Sequence, residues 1–276
     1  MARTYHLHIH SSRGFAGFNL RELWDFRGLL AALAIRDIKL RYRQTALGVA
    51  WVVLQPLLAS GILAFVFGTV AGITKPGRTS VFVFVLGGFI GWSLFSATFV
   101  RSGNSLIQHS ALISKVFFPR FILPASSIFS ALVDTSVALT LFVLLSMIRG
   151  HSFSWEIVTL PVWLTFLLIF AFGLGLISAA LSVRFRDVQH ITPVLLQLLF
   201  YATPVAYQTE AVPERWRGLF LINPLSPLFE GLRWSLLREG HFRGSEVAYA
   251  LLVSALVLVL GLALFRHAER EFADVI

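Results

Sequence analysis

Long apolar stretches alternate with short polar segments along most of this chain. Six stretches hold almost no charge and approach or exceed the ~20 residues with which a helix crosses a bilayer. They cover residues 48–73, 81–100, 121–148, 157–183, 191–207 and 247–265. The pattern predicts an all-α integral membrane protein with about six transmembrane helices per protomer.

The segment before the first stretch, residues 20–44, has the spacing of an amphipathic helix. On a helical wheel, apolar residues such as Leu30 and Ala34 lie opposite a charged sector formed by Arg21, Asp25, Arg36, Lys39 and Arg43. We predict a helix in the cytoplasmic interface of the membrane, with its apolar side in lipid. Residues 1–19 are predicted to be a flexible cytoplasmic tail, and residues 45–276 a single transmembrane domain.

Two polar segments between apolar stretches carry further predictions. Residues 101–120 are too polar to span, and we expect a short cytoplasmic helix within 104–118 that Pro119 stops. Residues 208–244 contain three prolines, and the amphipathic part from Leu225 to Leu237 is expected to enter the membrane without crossing it. This gives a re-entrant helical region between spans 5 and 6.

Composition and charge support a membrane location and set the orientation. Of the 276 residues, 57% are hydrophobic and 13% are charged, about half the charged share of a soluble domain. The net charge of +9 comes from cations that flank apolar spans, which favours lipid contact over nucleic-acid binding. With six spans, 15 Lys and Arg residues lie on the side of the termini and 8 on the other, so both termini are predicted to be cytoplasmic.

The sequence lacks the familiar motifs of nucleotide-binding proteins and hydrolytic enzymes. It has no cysteine, no phosphate-binding loop of the G-x-x-x-x-G-K-[ST] type, and no H-E-x-x-H or G-x-S-x-G motif. Asp134 is the one acid deep in a span, and it has no obvious partner in the sequence. We favour a polar contact between helices or protomers over a proton relay. Energy then comes from an ion gradient or from another chain.

Three long stretches resemble one family of membrane proteins. They are LWDFRGLLAALAIRDIKLRYRQTALGVAWVVLQPL at the start, SALISKVFFPRFILPASS at 110–127, and VRFRDVQHITPVLLQLLFYATPVAY at 183–207 followed by INPLSPLFEGLR at 222–233. In this order they resemble the ABC-2-type permeases that export bacterial surface polysaccharides such as O-antigen, capsule and teichoic acid. Phe118, where Tyr is frequent in the family, and an extended N-terminus with several His residues are small departures.

The resemblance implies a set of partners. It implies a homodimer in the inner membrane with two separate ATPase subunits, which bind ATP and Mg, while this chain binds no cofactor or metal itself. The substrate implied is a glycan linked to a lipid carrier, usually undecaprenyl diphosphate. Membrane lipids surround the dimer. The family arrangement also implies that span 1 moves against span 5, with Gly48 as a plausible hinge.

Residue types then give three groups of candidate functional residues. An ATPase-coupling segment contains Gln108, His109, Leu112, Ser114 and Lys115. Aromatic faces suit the C–H surfaces of sliding sugars, and the candidates for a channel lining are Trp51, Trp92, Phe200, Tyr201 and Tyr207. Cations at the inner interface favour phosphate groups, and that pool is Arg27, Arg36, Lys39, Arg41 and Arg43.

Alternative functions are open at this stage. Within the family, an exporter of a teichoic acid, a drug or a small lipid is the nearest competitor. A gradient-driven secondary transporter would need inverted repeats or paired charges at the membrane midplane, and the sequence shows no convincing repeat. A membrane enzyme acting on lipid-linked sugars would need a cluster of acids or histidines at one interface, which the spacing does not indicate.

Overall fold

In the computed structural model, the described residues are 24–43, 49–74, 77, 79–116 and 118–269. All regular elements within these ranges are helical, which confirms the predicted all-α class. The predicted tail at 1–19 and the candidate hinge Gly48 lie outside the described residues.

The described part of the chain contains ten α-helices, which we number in chain order. They are α1 Arg27–Arg43, α2 Val49–Ala64, α3 Val81–Gln108, α4 Ser110–Ile113, α5 Ile122–Ile148, α6 Leu160–Arg184, α7 Val188–Ala202, α8 Glu214–Ile222, α9 Leu225–Leu237 and α10 Gly244–Glu269. A π-helical turn, Phe65–Val70, extends α2, and a 3₁₀ turn, Trp155–Thr159, leads into α6. A second 3₁₀ turn, Thr209–Ala211, precedes α8.

Five helical segments are long and apolar enough to cross a membrane, which confirms an integral membrane protein. They are Ala50–Val70, Val81–Gln108, Ile122–Ile148, Trp155–Arg184 and Gly244–Glu269. The fifth predicted span, residues 191–207, corresponds to α7, which has only 15 residues and ends at Ala202 rather than at 207. Pro204 follows its C-terminal end, and residues 203–206 are buried without being helical.

Helix α3 continues two turns beyond the predicted end of span 2, so residues 101–108 are not a separate loop. The polar residues there do not interrupt the helix, because their hydroxyls are satisfied nearby. The Ser105 hydroxyl donates to the Ser102 carbonyl at 2.7 Å, and the Ser102 and Ser127 hydroxyls are 3.0 Å apart. Burying these groups is therefore tolerable within the helical bundle.

Helix α1 packs on protein along part of its apolar side, which corrects the expectation that this side lies in lipid. Leu33 and Ala34 are each 5% exposed, and α1 lies along α5. Leu33 belongs to a buried cluster that includes Leu106 of α3 and Ile122 of α5. The sequence offered no soluble domain for α1 to pack on, but the extended ends of the membrane helices provide that surface.

Helix α6 forms the centre of the bundle, where glycines bring helix backbones close together. A Cβ atom added at Gly173 would lie 2.7 Å from the backbone nitrogen of Leu258 on α10. A Cβ at Gly175 would lie 2.6 Å from the Cβ of Ser102 on α3. Side chains at these positions would push the helices apart, so the small residues set the packing of α6 against both neighbours.

The re-entrant region is a helical hairpin of α8 and α9, and α9 is buried on nearly every side. The helix predicted at Leu225–Leu237 is α9, and it packs against α3 and α6. Asn223 fixes the turn before α9. Its side-chain amide donates to the Ala202 carbonyl at 3.0 Å, and its side-chain oxygen accepts from the Leu225 N–H at 3.1 Å.

A fully buried arginine, Arg233, holds α9 in place. It donates to the Glu230 carboxylate at 3.0 Å and to the Val205 carbonyl at 3.2 Å, and its guanidinium lies 4.5 Å from the centre of the Phe84 ring. Burial lowers the pKa of the Arg233 guanidinium below its ordinary value, and the Glu230 carboxylate opposes that shift. Glu230 balances the buried charge of Arg233 within α9, and the contact of Arg233 with the Val205 carbonyl joins α9 to the chain after α7.

We predict that Arg233→Met destabilises the protein because it leaves Glu230 buried without its cation, at a cost of about 3–5 kcal/mol. Thermal unfolding of the purified protein in detergent measures the effect. The double variant Arg233→Met/Glu230→Leu should recover much of the loss, and Arg215→Met, which removes an exposed arginine of α8, should change little. An equal loss in the double and single variants would contradict the charge-pair explanation.

Candidate functional site

The candidate site lies where α1, α3 and α5 meet, and its centre is Asp134. The carboxylate of Asp134 accepts a hydrogen bond from Nη2 of Arg101 on α3 at 2.6 Å. Nη1 of Arg41, in the last turn of α1, donates to the same carboxylate oxygen. Asp134 thus makes polar contacts between helices, and its partners are two arginines that the sequence pattern did not indicate. We call Arg41, Asp134 and Arg101 the ion triad.

The triad forms because three different features of the sequence meet there. Arg101 lies inside α3 because that helix continues past residue 100, Asp134 lies near the middle of α5, and Arg41 arrives at the end of the interfacial helix. The Asp134 side chain is 11% exposed, Arg101 24% and Arg41 37%. A carboxylate with so little access to water needs opposite charges nearby, and the two arginines provide them.

The triad separates two cavities of similar size. One has a volume of about 300 Å³ and is lined by Arg41, Arg101 and Asp134 together with residues of α2 and α3, among them Gln55, Ser93 and Ser96. The other has a volume of about 310 Å³ and is lined by the same two arginines, Asp37 and the polar residues Ser105, Gln108, His109, Ser127 and Ser130. Both cavities are therefore polar and positively charged at the triad.

A second set of polar contacts joins α1 to the end of α3. Helix α3 ends at Gln108, and His109 forms the corner before the short helix α4. The Nδ1 atom of His109 is 2.8 Å from the Ser105 carbonyl, while its Nε2 atom contacts Arg36. Arg36 also pairs with Asp37 at 2.9 Å. Movement of the α3–α4 corner would therefore act directly on α1.

The predicted coupling residues divide into anchored and exposed side chains. Within the predicted helix 104–118, the first five residues belong to α3 and only Ser110–Ile113 form a separate helix. Leu112 packs against the buried cluster that contains Leu33, Leu106 and Ile122. His109 is tied to α1, whereas Gln108, Ser114 and Lys115 are exposed.

The aromatic candidates do not form one surface within the protomer. Trp92 is 8% exposed and packs against Phe200, with ring centres 5.1 Å apart, so both belong to the interior between α3 and α7. Trp51 on α2 and Tyr201 on α7 are 50% and 59% exposed. The Tyr207 hydroxyl donates to the Tyr201 carbonyl at 2.7 Å, which fixes the chain just after α7.

The cationic candidates differ in what they contact. Arg41 belongs to the triad and Arg36 pairs with Asp37, whereas Arg27 donates to the Trp24 carbonyl at 3.0 Å. Lys39 is exposed, and the side chain of Arg43 lies outside the described residues. Arg101 was not among the candidates predicted from the sequence. The only indication for it was a charge in the continuation of an apolar helix, and its distance of 33 residues from Asp134 concealed the pairing.

A larger cavity of about 650 Å³ lies at the opposite end, between the α8–α9 hairpin and the start of α10. Its lining includes Glu210, Arg217, Glu230, Trp234 and His241. Nδ1 of His241 is 2.9 Å from the Glu210 carboxylate. Within the described ranges, no group of three or more His, Cys, Asp or Glu residues is arranged to hold a metal ion.

Known proteins similar to this chain are membrane subunits of exporters. The O-antigen export system permease protein RfbA of Myxococcus xanthus is 34% identical over 258 residues, covering 92% of this chain and 98% of that protein. An RfbA protein of Klebsiella pneumoniae is 28% identical over 262 residues, covering 94% and 98%. The polysialic acid transport protein KpsM of Escherichia coli is 28% identical over 243 residues, covering 86% and 92%.

A family model extends this similarity across the helical bundle. The model described as ABC-2 type transporter matches residues 28–237, from the start of α1 to the end of α9. The match includes all three members of the ion triad, together with α8 and the buried helix α9. The chain therefore belongs to the ABC-2 type transporter family, as a multi-pass membrane subunit of an ABC exporter.

Proposed function

We propose that this chain is the membrane subunit that exports a lipid-linked, O-antigen-like polysaccharide across the inner membrane. The observation that carries the proposal is the similarity to an O-antigen export permease over nearly the whole length of both chains. A helical bundle with polar, cationic cavities at the ion triad suits a substrate with an anionic, lipid-bound end. The carrier we propose is a long isoprenoid diphosphate such as undecaprenyl diphosphate.

The energy for export comes, in this proposal, from separate ATPase subunits. The sequence contains no phosphate-binding loop of the kind that cradles ATP. We propose a homodimer of this chain with two ATPase subunits, which bind ATP and Mg. We also propose that α7 crosses the membrane as a short sixth span, so that both termini lie in the cytoplasm, and that the α3–α4 corner faces the ATPase.

The α3–α4 corner has the properties that a coupling contact requires. Gln108, Ser114 and Lys115 present exposed polar groups, while His109 links the corner to α1 through Arg36. A push on the exposed residues therefore reaches the interfacial helix through direct contacts. Since Arg41 at the end of α1 belongs to the triad, the same motion changes the site between α1, α3 and α5.

The proposed glycan path uses the exposed aromatic side chains of α2 and α7. Trp51 and Tyr201 leave large ring surfaces uncovered in a single protomer. Such rings could line a passage between two protomers, where they would contact sugars without holding any one of them tightly. The other three aromatic candidates would not face the path. Trp92 and Phe200 pack inside the protomer, and Tyr207 fixes the end of α7, so they would hold the helices that present the exposed rings.

A capsule-type polysaccharide is the second candidate substrate. The polysialic acid transport protein of Escherichia coli is similar over 86% of this chain. The higher identity to the Myxococcus protein, 34% against 28%, favours the O-antigen-like substrate.

We expect deletion of this chain in its own cell to trap the lipid-linked glycan in the inner leaflet of the inner membrane. Fractionation and analysis of lipid-linked glycans measure the accumulation, and restored export from a plasmid copy is the control. An unchanged amount of glycan at the cell surface, with no accumulation inside, would overturn the proposed function.

We expect Lys115→Glu to uncouple ATP hydrolysis from export. The substitution reverses an exposed charge at the α3–α4 corner without disturbing the buried contacts of His109. In the purified complex, export should fall about tenfold or more while ATP hydrolysis continues, the factor expected when a contact of ~1.4 kcal/mol is lost. Lys115→Arg, which keeps the charge, is the matched control. Normal export by a fully assembled Lys115→Glu complex would exclude the contact.

We expect the double variant Trp51→Ala/Tyr201→Ala to slow glycan export with little effect on assembly, because both rings are on the surface of the protomer. Export of labelled glycan is the measurement. Leu252→Ala, which truncates an exposed apolar side chain on α10, is the control for loss of surface area alone. If the double variant exports glycan at the normal rate, these rings do not line the path.

A further inference from the structure

The ion triad has more positive charge than its hydrogen bonds use. Two guanidinium groups converge on one carboxylate, so the three side chains together have a net charge of +1. Arg101 and Asp134 are largely shielded from water, and an excess charge beside them is costly unless an anion can share it. The triad is therefore a place where a further negative group would be stabilised.

Two buried hydrogen-bond donors near the triad also indicate that an anion can bind there. Within the described part of the chain, Nη1 of Arg101 is buried and has no hydrogen-bond partner. The hydroxyl of Ser130, a residue only 7% exposed, is also buried without a partner there. Buried donors are nearly always satisfied in a working state, so these two groups indicate an acceptor that binds between them and the arginines.

Space for that acceptor exists on both sides of the triad. Cavities of about 300 and 310 Å³ each have Arg41 and Arg101 in their walls, and Ser130 lies in the second. Each cavity is large enough for a phosphate or diphosphate group with water around it. The hydroxyl and amide side chains that complete the walls are suitable partners for phosphate oxygens.

We propose that Arg41 and Arg101 form a binding site for the phosphate groups of a lipid-linked substrate, and that Asp134 limits the affinity of this site. The guanidinium fork matches the oxygens of a phosphate ester, and a pair of forks favours a diphosphate over a single charge. The site lies between the interfacial helix α1 and the membrane helices α3 and α5, a position where the phosphate end of a membrane lipid could lie. Identifying that ligand as the exported substrate rests on the proposed function.

Asp134 has a defined part in this site. Its carboxylate occupies both guanidinium groups when the site is empty and competes with the phosphate for them when the ligand arrives. A transport site must bind its substrate strongly enough to admit it and weakly enough to release it. The carboxylate keeps the arginines in position and prevents the phosphate from binding too tightly.

The test measures binding of radiolabelled inorganic pyrophosphate to the complete complex with its ATPase subunits in phosphatidylcholine nanodiscs. Arg101→Gln should weaken binding about tenfold or more, the effect of losing a charge-assisted hydrogen bond, and should also reduce export. Asp134→Asn should tighten binding several-fold while export falls. A merely structural acid would not produce this opposite pair of effects.

Control variants separate the site from general attraction to a basic protein. Arg184→Gln removes one exposed arginine at the end of α6, and we expect it to leave pyrophosphate binding unchanged. Equal weakening by Arg184→Gln and Arg101→Gln would overturn the site. If Asp134→Asn does not assemble, unchanged binding in assembled Arg101→Gln still overturns it.

Competition identifies the source of the phosphate. An isoprenoid diphosphate added to the nanodiscs should displace pyrophosphate at a far lower mole fraction than phosphatidylglycerol. Equal displacement by phosphatidylglycerol would overturn the assignment to a diphosphate carrier.

Pyrophosphate binding at the triad in a protein whose deletion leaves surface glycan unchanged would overturn the proposed function and leave the anion site in place. Normal glycan export without pyrophosphate binding would overturn the anion site and leave the proposed function in place.

Discussion

A charge inside a membrane bundle must be placed where an opposite charge can reach it, and this constraint shapes the side of the molecule that binds α1. Asp134 lies within a long apolar helix, and its carboxylate holds Arg101 from α3 and Arg41 from α1. Three elements separated by 33 to 93 residues in the chain are thereby fixed relative to one another. The interfacial helix is consequently part of the bundle, with Leu33 and Ala34 packed on its surface.

On the other side of the molecule, a buried charge is balanced by a different pair, Arg233 and Glu230. Arg233 is fully buried, and its partners are Glu230 of the same helix and the backbone carbonyl of Val205. The glycine contacts of α6 with α3 and α10 hold the helices between the two charged sites close together. Each charged site joins short, irregular elements to this central unit. Motion is therefore expected in the peripheral elements α1, α7 and α8 rather than in α6 or the buried helix α9.

This arrangement gives export a simple physical basis. The α3–α4 corner contacts α1 through His109 and Arg36, and α1 contacts Asp134, in the proposed phosphate site, through Arg41. An ATPase acting at the corner would alter the environment of the substrate's charged end through contacts made by a few side chains. In the proposed function, exposed aromatic rings on α2 and α7 would contact the glycan, whose passage needs apolar surface rather than strong bonds.

Sequence by itself determined the membrane class, the order of the long helices and a helix at Leu225–Leu237, because long apolar stretches and prolines act locally along the chain. The resemblance in three stretches also identified the transporter family, which the whole-length similarities confirm. The true end of α3 at Gln108 was missed, because its serines satisfy their hydroxyls within the bundle. Only the tertiary structure paired Asp134 with Arg41 and Arg101, since side chains so distant in sequence meet through helix packing and no local pattern specifies their contact.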